Sequence, residues 1–445
     1  MSAQAKEAPL NVVMIVVDDL GYNDVGLWSK DPKVKTPAMD RLFREGVSFN
    51  AAYVTSPICN ASRIGLMTGA YQQRFGTYWY TSKGLPADVP TLGEMFQEKG
   101  YRTGYVGKFH YGATNKSTDG RDFPMNHGFE TFFGFSGGTK HYLRHRDAYS
   151  FKGDMVHQGA LWDGKKRLQC DGFLTEMFGV RARNFINEQS EKPYFLMLSF
   201  NAVHNYVHQL PDGYLKAHKL PKLADFQPKD EKYWHWRKKI GFPNDQHGRD
   251  YYRGQLHLLD KEIDKVLAEV GKNTVVVLLS DNGGSLVTYA NNIPLKGGKY
   301  TLDEGGVRVP MVVRWPGKKA RTVEQPVMST DLFATFSKVL THPGHAKMDG
   351  TNLIEAIDGK LLAERPLFWA THSEQAVRQG KWKLVHTDKP PNSRLQIVDS
   401  VIGWRLYDLS KDIGEMNNLL EHNPEVVAEL KQKLVAWQRE MKKGN

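Results

Sequence analysis

Val12-Val13-Met14-Ile15-Val16-Val17 is followed at once by Asp18-Asp19-Leu20-Gly21. An unbroken run of six apolar residues, four of them valine, reads as a strand buried on both faces, the form taken in a parallel sheet covered by helices. Comparable runs at 103–106, 194–200, 274–279 and 311–314 read the same way. Between them, apolar residues at three- and four-residue spacing predict amphipathic helices over 38–45, 92–99, 175–188, 251–270 and 330–340. Strand and helix in alternation predict an α/β fold, a doubly wound and mostly parallel sheet flanked by helices.

From Pro366 the texture changes. The stretch from Phe368 to Thr387 reads as paired short strands about a Gln379-Gly380 turn, and 424–442 as a closing amphipathic helix. A main domain over 10–364 and a smaller α+β part over 365–445, with an antiparallel sheet, are expected. A chain of 445 residues has room for both.

The net charge of +11 suits anionic partners. No zinc-finger spacing or RNP-type aromatic motif accompanies it, so nucleic acid is not expected as a partner. The two cysteines, Cys59 and Cys170, give no disulfide framework. No run is long enough to span a bilayer, and 1–11 lacks an apolar signal core, so a soluble chain is expected.

In open α/β sheets, ligands bind beyond the carboxyl ends of the strands. Asp18 and Asp19 follow the first strand; Ser280, Asp281 and Asn282 follow the run at 274–279; Asn201 and His204 follow the run at 194–200. Singly, such residues start turns or cap helices. Together, Asp18, Asp19, Asp281 and Asn282 offer hard oxygen donors, which suit Ca²⁺ or Mg²⁺ rather than zinc. Cys59 lies four residues before Arg63 at the expected start of a helix, where backbone amides favour an anion.

Cys59-Asn60-Ala61-Ser62-Arg63, followed by Gly65-Leu66-Met67-Thr68-Gly69, resembles the signature of the formylglycine-dependent (type I) sulfatases of the alkaline phosphatase superfamily, with Ala61 where a proline is usual. Further stretches resemble the family's motifs in the same order: Asp18-Asp19-Leu20-Gly21, Gly107-Lys108-Phe109-His110, Asn201-Ala202-Val203-His204, Ser280-Asp281-Asn282-Gly283, and Lys299 ahead of Glu304-Gly305-Gly306. The closing stretch from Leu406 to Leu419 is also similar, so the likeness covers nearly the whole chain and is nearest to bacterial glycan sulfatases.

This resemblance implies an alkaline phosphatase-like fold and sulfate-ester hydrolysis. It implies that Cys59 is oxidised to formylglycine by a formylglycine-generating or anaerobic sulfatase-maturing enzyme. It assigns Asp18, Asp19, Asp281, Asn282 and position 59 to a divalent cation, Ca²⁺ or else Mg²⁺. Arg63, Lys108 and Lys299 would grip sulfate oxygens, His204 would protonate the leaving oxygen, and His110 would take a proton so that the aldehyde reforms. A periplasmic or secreted location follows as a family expectation.

Two alternatives stay open. A phosphate or phosphonate ester hydrolase shares the superfamily, although its members typically carry Asp-His where this chain has Asp281-Asn282. A binding protein for sulfated glycan would result if Cys59 stayed unmodified. The charge favours a sulfated carbohydrate as substrate, with the segment holding Lys140, His141, Arg144, His145 and Arg146 as a candidate rim. His141 is the first candidate for substrate contact and Ser136 the second. Tyr78, Trp79 and Tyr80, and Tyr233, Trp234 and Trp236, offer rings for sugar or for core packing. Asn60-Ala61-Ser62 and Asn115-Lys116-Ser117 are sequons that do not establish glycosylation.

Overall fold

The structure, a computed structural model, describes residues 9–80, 83–112, 118–138, 141–144, 161–224, 235, 246–389 and 401–443. Lys140, His145, Arg146, Tyr233, Trp234, Trp236 and the sequon at Asn115 lie outside the described residues.

The main strands are β1 (Asn11–Val17), β2 (Val47–Phe49), β3 (Arg102–Lys108), β4 (Thr131–Phe135), β5 (Leu161–Asp163), β6 (Lys166–Leu168), β7 (Tyr194–Phe200), β8 (Thr274–Ser280), β9 (Met311–Arg314) and β10 (Arg321–Val323). They form one ten-stranded sheet in the order β10-β2-β9-β8-β1-β7-β3-β4-β5-β6. The five adjacent strands β8, β1, β7, β3 and β4 run parallel. Residues 311–314, expected among the parallel strands, run antiparallel to β8 instead. Between Ser280 and Met311 the described helical segments are only three and four residues long. Without a crossover helix, the chain turns straight back.

Both faces of the sheet are covered, as the apolar runs require. Val13, Ile15 and Val17 of β1 join one core with α1 (Pro37–Glu45), α4 (Leu174–Asn187) and α5 (Gly248–Glu269). Val12, Met14 and Val16 join the other with α2 (Cys59–Thr68), α3 (Leu92–Glu98) and α6 (Thr330–Val339). Strand periodicity of two splits each run between the faces. Apart from α2, for which only a start at Cys59 is expected, these helices lie within one or two residues of their expected starts and ends, except that α5 begins at Gly248 rather than 251.

A second sheet of four antiparallel strands is built from β11 (Leu367–Ala370), β12 (Glu374–Gln379), β13 (Trp382–Thr387) and β14 (Gly403–Asp408). The closing helix α7 (Pro424–Lys443) lays Leu430, Leu434 and Trp437 on it, with Trp437 stacked on Phe368 at 5.2 Å. The same core takes in Tyr53, Leu302 and Val307, so this sheet packs against the loops that follow β8.

Candidate active site

The five parallel strands deliver polar residues from their carboxyl ends, each from a different strand. β1 leads into Asp18 and Asp19, β8 into Asp281 and Asn282, β7 into His204, and β4 into Ser136, while β3 ends at Lys108 with His110 two residues on. Helix α2 begins at Cys59 without a side-chain cap, and all ten of its residues are buried. Its uncapped first turn supplies a positive field at position 59.

The ligand atoms of Asp18, Cys59 and Asp281 all lie within 4.8 Å of one another, and so do those of Asp18, Asp19 and His204. Lys108 Nζ donates to Asp18 Oδ2 at 2.5 Å, and Lys299 Nζ to Asp19 Oδ2 at 2.9 Å. Arg63 Nε donates to Asp281 Oδ2 at 2.8 Å, while its Nη1 reaches the Lys108 carbonyl at 2.8 Å and Ser199 Oγ at 2.6 Å. Asn282 Nδ2 donates to Asp19 Oδ1 at 2.7 Å. His204 Nε2 lies 3.7 Å from Asp19 Oδ2. Thus Asp18, Asp19, Cys59, Arg63, Lys108, His204, Asp281, Asn282 and Lys299, expected in one site, converge.

Ser136 follows β4, and the turn after it borders His110: a Cβ on Gly138 would stand 3.4 Å from His110 Cε1. His141 is buried, held by Gln209 at 2.6 Å and packed on Tyr206 at 4.4 Å. Arg144, part of the candidate rim for substrate, is only 2% exposed, because Leu143–Arg144 pairs as a short strand with Gly172–Phe173 and its guanidinium turns to Cys170. Trp79 and Tyr80 adjoin the site, with the Tyr80 and His110 ring centroids 6.0 Å apart, whereas Tyr78 packs on His372 and the core of the second sheet.

The backbone fixes these groups at close quarters. Gly107, at φ +115, comes so near β7 that a Cβ there would lie 1.8 Å from the Ser199 carbonyl oxygen. That approach brings the Lys108 carbonyl to Ser199 Oγ at 2.7 Å. A Cβ on Gly283 would likewise sit 1.8 Å from the Gly305 carbonyl oxygen. The segment with Lys299 is tied to both neighbours, through Tyr300 N to Pro57 O at 2.9 Å and Lys299 N to Gly284 O at 3.1 Å. Ser199, Tyr142 and Tyr300 were missed in the sequence reading. Ser199 had a signal, as the polar residue in the apolar run 194–200; Tyr142, whose hydroxyl donates to the carbonyls of Asn201 at 2.9 Å and His204 at 2.8 Å, had none.

Burial and the neighbouring Asp281 push the Asp18 carboxyl well above the usual carboxylate range, against the pull of Lys108. Burial would raise Asp281 too, but Arg63, Lys108 and Lys299 outweigh it and hold it low. Burial raises the Cys59 thiol. His110 and His204 are pressed towards their neutral forms, first by burial and then by nearby lysines. The site fits a hard divalent cation: Asp18 Oδ1 and Asn282 Oδ1 are buried acceptors with no hydrogen-bond partner, beside further carboxylate oxygens.

A model of the sulfatase family matches residues 10–342, and a model described as N-sulphoglucosamine sulphohydrolase, C-terminal, matches 298–440. N-acetylgalactosamine-6-sulfatase of Canis lupus familiaris is 28% identical over 419 residues, 86% of this chain and 73% of that protein. N-acetylgalactosamine-6-O-sulfatase of Bacteroides thetaiotaomicron is 28% identical, covering 95% of this chain and 92% of its own. The solved structure of Ps i-CgsB in complex with k-i-k-neocarrahexaose superposes with a TM-score of 0.81 at 27% identity, covering 97% of this chain and 93% of that one. With the family match running through every strand of the large sheet but none of the second, and the residues above gathered at its carboxyl edge, this chain belongs to the sulfatase family and is a sulfuric ester hydrolase.

Proposed function

We propose that this chain releases sulfate from a sulfated carbohydrate, with Cys59 converted to formylglycine and a divalent cation held by Asp18, Asp19, Asp281, Asn282 and position 59. The observation that carries the reading is the meeting of Cys59, Asp18 and Asp281 within 4.8 Å, with Arg63, Lys108 and Lys299 paired to the surrounding carboxylates. Three carboxylates against three cations leave these charges balanced. Asp18, Asp19, Asp281, Asn282 and position 59 would hold a Ca²⁺ or Mg²⁺, which would tip that balance towards anions and polarise an oxygen in reach, and formylglycine at position 59, as its hydrate, would supply the attacking oxygen.

The chain's own residues do the rest. Arg63, Lys108 and Lys299 hold the sulfate oxygens and spread the charge that builds on them. His204 places a proton on the oxygen of the departing alcohol as its bond to sulfur breaks. Burial and the nearby lysines favour its neutral form in the free site, whereas a negatively charged ester beside it favours the protonated form. His110, kept neutral by burial, accepts a proton from the oxygen at position 59 so that sulfate can leave. Asn282 supports sulfate over phosphate chemistry, because a neutral amide suits a single hard cation.

A sulfated carbohydrate is supported by the relatives' named sugars and by the +11 charge. Maturation by a formylglycine-generating or anaerobic sulfatase-maturing enzyme, and a periplasmic or secreted location, belong to the same proposal. The test is sulfate release from a panel of defined sulfated saccharides, with mass spectrometry of the peptide holding position 59. Cys59→Ser is expected to lower turnover at least ~1,000-fold. Equal turnover by Cys59→Ser, or no release from any panel member by aldehyde-bearing protein, overturns the proposal.

A further inference from the structure

Tyr80 has two unlike ends. Its side is 47% exposed, the largest exposure of any aromatic among the exposed apolar residues described. Its hydroxyl is turned inward, facing the Tyr300 hydroxyl and near enough to Cys59 and Lys299 to interact with their charges. The ring centroid is 6.0 Å from that of His110 and tilted by 31°. Trp79 supports it edge-on at 6.1 Å and also packs on Tyr300 at 6.1 Å. An aromatic ring with one polar end tied down and its body open is held in place for contact at little further entropic cost.

Tyr300 is held in an uncommon backbone conformation to make this contact. Its φ is +82, a region that a bulky side chain seldom adopts. Asp19 at φ +60 and His110 at φ +49 share that property, so three of the eight positive-φ residues other than glycine among those described belong to this site. Such conformations persist where the surroundings enforce them, and functional sites are where they concentrate. The Tyr300 ring also carries the Lys299 ammonium 5.5 Å from its centroid, so a single residue braces both a sulfate-gripping cation and the Tyr80 hydroxyl.

We propose that Tyr80 is a stacking platform for the pyranose ring that carries the scissile sulfate, with Tyr300 as the residue that positions it. This rests on the sulfatase reading above and extends it to the chemistry of the leaving group: the apolar C–H face of a sugar ring lies on the open side of Tyr80 while its sulfate points past His110 towards position 59. Sulfate alone does not touch the platform, which makes the two subsites separable.

The test is isothermal titration of Cys59→Ala protein, which binds without turning over, in parent, Tyr80→Ala and Tyr80→Phe backgrounds. The probes are N-acetylgalactosamine 6-sulfate, k-i-k-neocarrahexaose and inorganic sulfate. Tyr80→Ala should weaken at least one sugar probe by roughly three- to tenfold and leave inorganic sulfate unchanged. Tyr80→Phe, which keeps the ring, should restore most of that affinity, a recovery that loss of fold would not produce. In the active protein, the KM for a saccharide substrate should rise with Tyr80→Ala while kcat moves less. Unchanged affinity for both sugars, equal weakening of inorganic sulfate, or absence of sugar binding to the parent protein overturns the platform. Failure of active protein to release sulfate from the saccharide panel overturns the sulfatase reading instead.

Discussion

Lys299 and Glu304 sit on one short segment, yet the charges around them are arranged differently. Around Lys299, three carboxylates crowd together and two acceptors, Asp18 Oδ1 and Asn282 Oδ1, are left without a hydrogen bond. Around Glu304, both oxygens of the central acid face a donor: Tyr53 Oη donates to Glu304 Oε2 at 2.6 Å and Lys383 Nζ to Oε1 at 2.9 Å. Lys383 also lies 3.0 Å from Glu415 Oε1, and Glu304 N donates to Glu415 Oε2 at 2.6 Å. Burial would push Glu304 up, but Lys383, Arg378 and Arg308 outweigh it and hold it ionised. Both clusters are buried; the first leaves acceptors open beside position 59, whereas in the second the central Glu304 is bonded through both oxygens. Open acceptors store the capacity to bind, whereas the bonds of Glu304 to Tyr53 and Lys383 lock the second sheet onto the segment that positions Lys299.

The comparison breaks most visibly at Asp18. Because Asp18→Asn relieves the crowding with Asp281 but takes from buried Lys108 its carboxylate, the two effects offset in part, and it should cost less stability than Lys383→Met while lowering sulfate release at least ~1,000-fold. A fall of more than ~10 °C in melting temperature would make this cluster structural instead. The reverse holds for Lys383→Met, which strands Glu304 and Glu415 and should cost about 3–5 kcal/mol in denaturant titration, with activity per folded molecule near wild type.

A milder test uses pH. Burial and then Asp303 raise the Glu374 carboxyl from 4.5 to about 7. A folded pKa above the unfolded one means that its stabilisation is whole below pH 4.5 and is lost as pH rises through 7, on the order of 3 kcal/mol. Glu374→Gln imitates the protonated acid and should flatten that part of the melting-temperature profile; an unchanged profile places the dependence elsewhere. The smallest expected effect is that of cation on stability. Chelator should lower the melting temperature and added Ca²⁺ or Mg²⁺ should restore it, by roughly 2–3 kcal/mol at a hundredfold excess over Kd. Asp281→Asn should abolish the response, and a response that survives that change would place the cation outside this site.

Long features of the fold were legible because they repeat: runs such as 194–200 and helices such as α4 each carry enough residues for a period to show. β2, β5, β6 and β10 were not foreseen, since a three-residue strand has no period to read, and neither was the five-residue β4, whose run of aromatics is broken by Gly134. The site was legible in its acids, Cys59, Arg63 and Lys108 because each directly follows an apolar run or lies in a recognisable motif. What could not be read was pairing across the chain. Nothing near Lys299 in sequence names Asp19 as its partner, and nothing near Glu304 names Lys383. The inward turn of Arg144 was equally hidden, since a short basic run looks alike whether it faces solvent or a thiol.

The glycine contacts beneath the site carry a consequence for changing what the protein acts on. Gly107 against Ser199 and Gly283 against Gly305 leave no room for even one added carbon. The floor of the cleft is main chain pressed on main chain, so side-chain replacement there offers no gradual route to a new shape. Redesign of selectivity has to work from above, on the aromatic and loop residues at the mouth, while the charged bed below is inherited unchanged.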